Sequence, residues 1–265
     1  MRTLLAVAVL LGMLSFPKPA RALTLKNVRP TTGRFGATRK STEYLPGGCV
    51  YLSFQISDIT TDSKTNDVKY QTKLEVFDDK NKAVLSRTSI PQEVTLSGGT
   101  EFPSYAFTFL SPDQPPGNYT MKVTVKDFLG KQTASFTHRF RILPPGFGIV
   151  QQTGVSMGLV GQDYGLSFAI VGMMKDEKTM LPEVLVTVQM TDTQGGKAFP
   201  KPREVNVKAL HSPLNDLTKK EIIPISLGFF LNRPGRFIIS VTAEDKIANR
   251  KTSFTFPLRV LDSEG

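Results

Sequence analysis

One cysteine, no tryptophan and two histidines are all that 265 residues offer of the side chains on which much catalytic and metal chemistry depends. Cys49 alone cannot form an internal disulfide, so an exported chain of this kind must draw its stability from packed cores. Its plain reading is a small, partly buried residue at the start of a strand. With one Cys and two distant histidines, His138 and His211, no zinc-ligand spacing exists. No glycine-rich loop opens a helix, which leaves nucleotide chemistry without a motif. No nucleic-acid-binding motif is present, and no cofactor is expected. Beyond Phe16 no run is apolar enough to span a bilayer, which needs roughly 20 such residues, so no membrane anchor is expected once the leader is removed.

The leader itself is well marked. Met1-Arg2 gives a positive start, Thr3 to Phe16 is apolar, and Ala20-Arg21-Ala22 places small residues at the cleavage positions. Residues 1–22 therefore read as a secretory signal peptide, and the expected location is secreted, periplasmic or cell-envelope. The formal charge of +10 loses Arg2, Lys18 and Arg21 with the leader, leaving +7. A basic exported surface points to an acidic polysaccharide, anionic lipid or acidic protein rather than to nucleic acid.

The remaining chain repeats itself. Pro115 to Leu143 matches Arg233 to Leu261 without a gap at an offset of 118, with 10 of 29 positions identical. Chance would give about two. Leu52-Ser-Phe-Gln-Ile56 matches Leu166-Ser-Phe-Ala-Ile170 at an offset of 114, which predicts four net residues gained in a loop of the second copy. On the 118 register Tyr105, Phe107 and Phe109 align with Ile223, Ile225 and Leu227 and are expected in the core with them.

The period inside each copy is two. Val50, Leu52, Phe54 and Ile56 alternate with Tyr51, Ser53 and Gln55, and Tyr119, Met121, Val123 and Val125 alternate with polar residues. Turn clusters such as Pro46-Gly-Gly48 and Ser97-Gly-Gly99 separate such runs. About seven strands per copy and no helical stretch predict an all-β chain of two tandem antiparallel sandwiches after the signal peptide. The expected boundaries are 23–143 for the first, with a basic leading segment, 144–148 for a Pro/Gly linker, and 149–265 for the second.

The hairpin blocks Pro116-Gly-Asn-Tyr119 with Val123-Thr-Val-Lys-Asp127, and Val241-Thr-Ala-Glu-Asp245 with Ala248-Asn249, resemble the closing strands of bacterial immunoglobulin-like and fibronectin-III-like domains. The resemblance implies a corner tyrosine at Tyr119, with Phe237 in its place in the second copy. Met121 stands where an antibody domain has its second cysteine, and no tryptophan packs on a bridge.

No catalytic set emerges. His138 falls on the inward alternation of its strand, with Phe256 as its counterpart in the second copy, and His211, Ser212 and Asp216 share one polar loop with no nucleophile-elbow sequence. Asp58, Asp62, Asn66 and Asp67 read as a plain loop, interrupted by Lys64 and lacking EF-hand spacing. Asn118-Tyr-Thr120 is a glycosylation sequon, relevant in a eukaryotic secretory pathway. Partner contact is expected first at the basic segment with Arg29, Arg34, Arg39 and Lys40, at the turn residue Phe128, and at the loop with Met173, Met174, Met180 and Leu181. The expected function is non-catalytic binding of a protein or acidic polysaccharide. A structural spacer is the alternative, and a loop-based hydrolase or inhibitor ranks below both.

Overall fold

The computed structural model describes residues 22–262, and the expected leader lies outside them. The protein is all-β. Its first half holds β1 (Thr24–Thr31), β2 (Glu43–Tyr44), β3 (Cys49–Ser57), β4 (Asp67–Phe77), β5 (Ala83–Thr88), β6 (Gln92–Thr95), β7 (Phe102–Phe109), β8 (Gly117–Asp127) and β9 (Gln132–Ile142). Its second half holds β10 (Gly148–Thr153), β11 (Met157–Leu159), β12 (Asp163–Val171), β13 (Val184–Asp192), β14 (Arg203–Asn206), β15 (Ile222–Phe230), β16 (Gly235–Asp245) and β17 (Arg250–Leu261). Among the described residues nine and eight strands replace the expected seven, because the first strand of each half breaks in two and extra strands lengthen the larger sheet.

Each half forms one small and one large sheet. The small sheets run β1-β3-β7 and β10-β12-β15, and the large ones run β2-β9-β8-β4-β5 and β11-β17-β16-β13-β14. The first strands of both halves carry the same irregularity, a register shift at Lys26/Arg29 and at Val150/Thr153, with Asn27 and Gln151 at positive φ. The chain then crosses to the large sheet, where β2 and β11 pair parallel to β9 and β17. One apolar cluster lies between each pair of sheets. Val50, Leu52, Phe54, Met121 and Val123 centre the first, and Leu166, Phe168, Val241, Phe256 and Leu258 the second.

The hairpin blocks are explained by two side chains. Asp127 and Asp245, both fully buried, close the turns after β8 and β16 by accepting backbone N–H groups. Each also accepts the N–H of a distant loop residue, Thr60 for Asp127 and Met174 for Asp245. The shared Asp therefore ties the turn to the loop after β3 or β12. Tyr119 donates its hydroxyl to the Pro115 carbonyl at 2.8 Å, as a corner tyrosine does. Tyr119→Phe is expected to cost about 1 kcal/mol in urea unfolding, the usual worth of one such bond. In the second half Phe237 fills the place and Arg233 covers its ring at 4.9 Å.

The halves meet at a packed junction. Leu45 joins Val150, Ala169, Val171 and Ile222 in a small apolar cluster. Gln151 Nε2 donates to the Gly47 carbonyl at 2.7 Å, and Arg39 Nη1 donates to Gln152 Oε1 at 3.0 Å. Gly47 has φ +78°, and a Cβ there would sit 3.0 Å from Ile222 Cδ1, so this crossing requires glycine.

The β7 register corrects the sequence alignment. Phe54 pairs with Ser104, and its counterpart Phe168 pairs with Ile225. The offset along this strand is therefore 121, not 118. Seven residues are gained before β15 and three lost after it, which gives the four net residues. An odd shift moves every side chain to the other face. Ser104, Ala106 and Thr108 point into the first core, whereas Tyr105, Phe107 and Phe109 point out. Ile223, Ile225 and Leu227 do face the second core.

Candidate binding face

The outward side chains of β3 and β7 form cross-strand pairs. Tyr51 lies opposite Phe107, Ser53 opposite Tyr105, and Cys49 opposite Phe109. The Tyr51 and Phe107 rings stack at 5.2 Å and 17°, and Tyr105 continues the row at 6.2 Å from Phe107. Phe109 meets Phe107 edge-on and is 54% exposed. The loop after β1 brings Phe35 edge-on to Tyr105 at 5.6 Å. The Arg34 guanidinium sits 4.7 Å from the Tyr105 ring and 5.3 Å from that of Phe35, within cation–π range.

The corresponding face of the second half lacks the stacked row and keeps a ring at Phe230, where Phe109 is, 61% exposed. Gly165 and Gly228 stand where Tyr51 and Phe107 are, and Ser226 stands where Tyr105 is, hydrogen-bonded to Ser167 at 2.9 Å. The fold therefore does not require the aromatics of the first half.

A second divergence lies beside them. In the second half, the seven extra residues belong to a segment with short 3-10 turns at Val207–Leu210 and Leu217–Lys219. Val207 and Leu217 are fully buried in that core. In the first half β5 and β6 are mostly exposed, with Ile90 between them 81% exposed. A groove of about 730 Å³ opens between these strands and β7, and Arg34, Tyr105, Phe107 and Arg87 line it. A second groove, of about 490 Å³, lies on the other side of Phe35 along Arg29 and Gln55.

The residues nominated from sequence divide among several places. Arg34 is exposed at the aromatic row, and Arg29 is exposed on β1 opposite Ser53. Arg29 therefore belongs to a strand, and the part of the basic leading segment outside the strands is the connection 32–42. Arg39 is engaged in the junction, over the Tyr44 ring at 4.6 Å and hydrogen-bonded to Gln152 and the Glu43 carbonyl. Lys40 is exposed next to it. Phe128 is half-buried in its turn with Lys126 Nζ 4.9 Å from its ring. Met173 and Leu181 pack on the second core, while Met174 and Met180 are about half exposed. Met173 also lines a junction cleft of about 370 Å³ with Pro46, Pro145 and Ile222.

The groups weighed for chemistry have local partners. His211 Nδ1 accepts the Leu217 N–H, Ser212 Oγ accepts that of Asn215, and Asp216 caps the second 3-10 turn through Thr218. Asp62 accepts the N–H groups of Lys64 and Thr65, which hold its carboxyl below the usual range. Among the described residues no group of three or more His, Cys, Asp or Glu is placed to hold a metal ion. His138 is half-buried, and burial pushes its pKa down. Burial pushes the Cys49 thiol up to about 12, so it stays protonated. Sequence reasoning missed Tyr51, Tyr105, Phe107, Phe109, Phe35 and Arg87. The available signal was the small set Ser104, Ala106 and Thr108 alternating with the rings: period two marks two faces without saying which is buried.

No family model matches the chain, and no curated protein matches it. Among solved structures it is similar to a red sea bream transglutaminase at 11% identity, covering 90% of this chain and 31% of that one, with a TM-score of 0.27. It is similar to the alkylpurine DNA glycosylase AlkC of Pseudomonas fluorescens at 10% identity, covering 46% of this chain and 30% of that one, with a TM-score of 0.31. Fibronectin(III)-like modules of Clostridium thermocellum CbhA align at 13% identity over 90% of this chain and 96% of that one, with a TM-score of 0.25. The chain thus spans less than a third of the first two proteins, and likenesses this distant carry no argument about function.

Proposed function

We propose that this is an exported, non-catalytic binding protein of two tandem immunoglobulin-like sandwiches, which recognises a polysaccharide or protein through the aromatic face of its first half. The observation that carries the reading is the row Tyr51–Phe107–Tyr105 under Arg34, at three positions where the second half has Gly165, Gly228 and Ser226. These three rings are partly open to solvent and run on to the exposed Phe35 and Phe109, and a contiguous apolar patch of this kind marks an interaction site. The test is retention of the purified mature protein on extracellular polysaccharides and envelope extracts, beside Tyr105→Ser/Phe107→Ser. Specific retention by the wild type and a loss of about tenfold or more in the variant are expected, which corresponds to roughly 1.4 kcal/mol. Equal retention of both proteins contradicts the reading, as does turnover across ester, glycoside and peptide substrates.

The packed junction favours a second reading, a spacer that fixes the distance between two attachment points. Small-angle scattering then gives one elongated particle with a narrow spread of dimensions. A compact or freely bending particle counts against it.

A further inference from the structure

We propose that the ligand of the aromatic face is an acidic polysaccharide, with sugar rings laid against Tyr105 and Phe107 and carboxylates held by Arg34 and Arg87. The inference rests on the binding reading above and narrows it to one chemical class. Both arginines line the 730 Å³ groove that opens along β7 beside those rings. Among the described residues neither has a carboxylate within ion-pair distance, although the neighbouring lysines do: Lys26 pairs with Glu101 at 3.3 Å, Lys69 with Glu93 at 3.6 Å and Lys73 with Glu75 at 2.7 Å. Glu93, the acid in the groove lining, is thereby already paired. Local acids thus neutralise the lysines and leave the groove its two guanidinium groups. A guanidinium is a planar fork matched to a carboxylate, and Arg34 is steadied by two rings before any ligand arrives.

The lining also matches a sugar. Rings give apolar surface for the C–H faces of a pyranose, and Thr88 and Gln92 bring hydrogen-bonding groups for its hydroxyls. A peptide joining β7 as a new strand would instead read the edge backbone, where Pro103 removes a donor. The groove remains open because the first half lacks the segment that inserts Val207 and Leu217 in the second.

The test is affinity electrophoresis of the mature protein in polygalacturonate, in the same polymer with its carboxyls reduced to alcohols, and in poly-glutamate. Polygalacturonate is expected to retard the wild type. Carboxyl reduction and the double variant Arg34→Gln/Arg87→Gln should each weaken binding about tenfold or more. Both arginines are exposed, so an unchanged melting temperature shows that the variant folds. Equal binding of the reduced polymer overturns the acidic claim while the aromatic face stands. Equal binding of poly-glutamate overturns the sugar claim. Loss of every interaction, including Phe107-dependent retention on envelope extracts, removes the face reading as well.

Discussion

Asp245→Ala is expected to destabilise the second half by about 2–4 kcal/mol, the range for removing a buried charge with several hydrogen bonds. The Asp245 carboxylate is fully buried and accepts the N–H groups of Ile247, Ala248 and Met174, with Arg250 Nη2 at 2.7 Å. Alanine leaves three donors and a guanidinium without their acceptor. The damage should reach the junction, because Arg250 also donates to the Gly172 carbonyl and lies 5.4 Å from the ring of the linker residue Phe147. Burial pushes the Asp245 pKa up, but the Met174 N–H, Arg250 and the Ala248 N–H together outweigh it, and the net shift is downward. A lowered folded pKa contributes stability that is present above the unfolded value near 4 and lost as pH falls through the folded one. Urea unfolding of wild type and variant should therefore differ most at neutral pH and converge in acid. A difference that stays constant between pH 7 and pH 3 would contradict the assignment.

Ile225→Ser and Phe107→Ser should differ sharply although the simple repeat alignment makes them equivalent. Ile225 is buried in the second core, and its loss should cost about 3 kcal/mol or more once a hydroxyl is buried in its place. Phe107 stands on the outer face, and its loss should cost about 1 kcal/mol or less, mostly ring–ring contact. Thermal unfolding of the two variants decides it. Equal losses would return Phe107 to the core and remove the binding face altogether.

Much of the architecture was legible because inward residues of β8 and β9 alternate cleanly with polar ones, leaving one possible buried face. The repeat register was equally plain wherever an apolar residue met its counterpart. It failed at β7, where both alternating sets can be buried: one is aromatic, the other small and uncharged. Only the partner strand decides, since Leu52 opposite Ala106 sets the face. The role of Asp127 and Asp245 was hidden for a different reason. Their distant donors, the N–H groups of Thr60 and Met174, are about 70 residues away, and no local pattern announces such a contact. Arg34 was found through its charge. Arg39 shared that charge but is drawn into the junction by Tyr44 and Gln152, a distinction that composition cannot make.

The most direct test of the binding face is a backbone amide NMR titration of the mature protein with galacturonate oligomers. Perturbations confined to residues 31–38, 49–55, 85–94 and 102–109, with the second half silent, are the expected result. Perturbations centred on the Met173–Leu181 loop, or shifts that survive unchanged in Tyr105→Ser/Phe107→Ser, would contradict it.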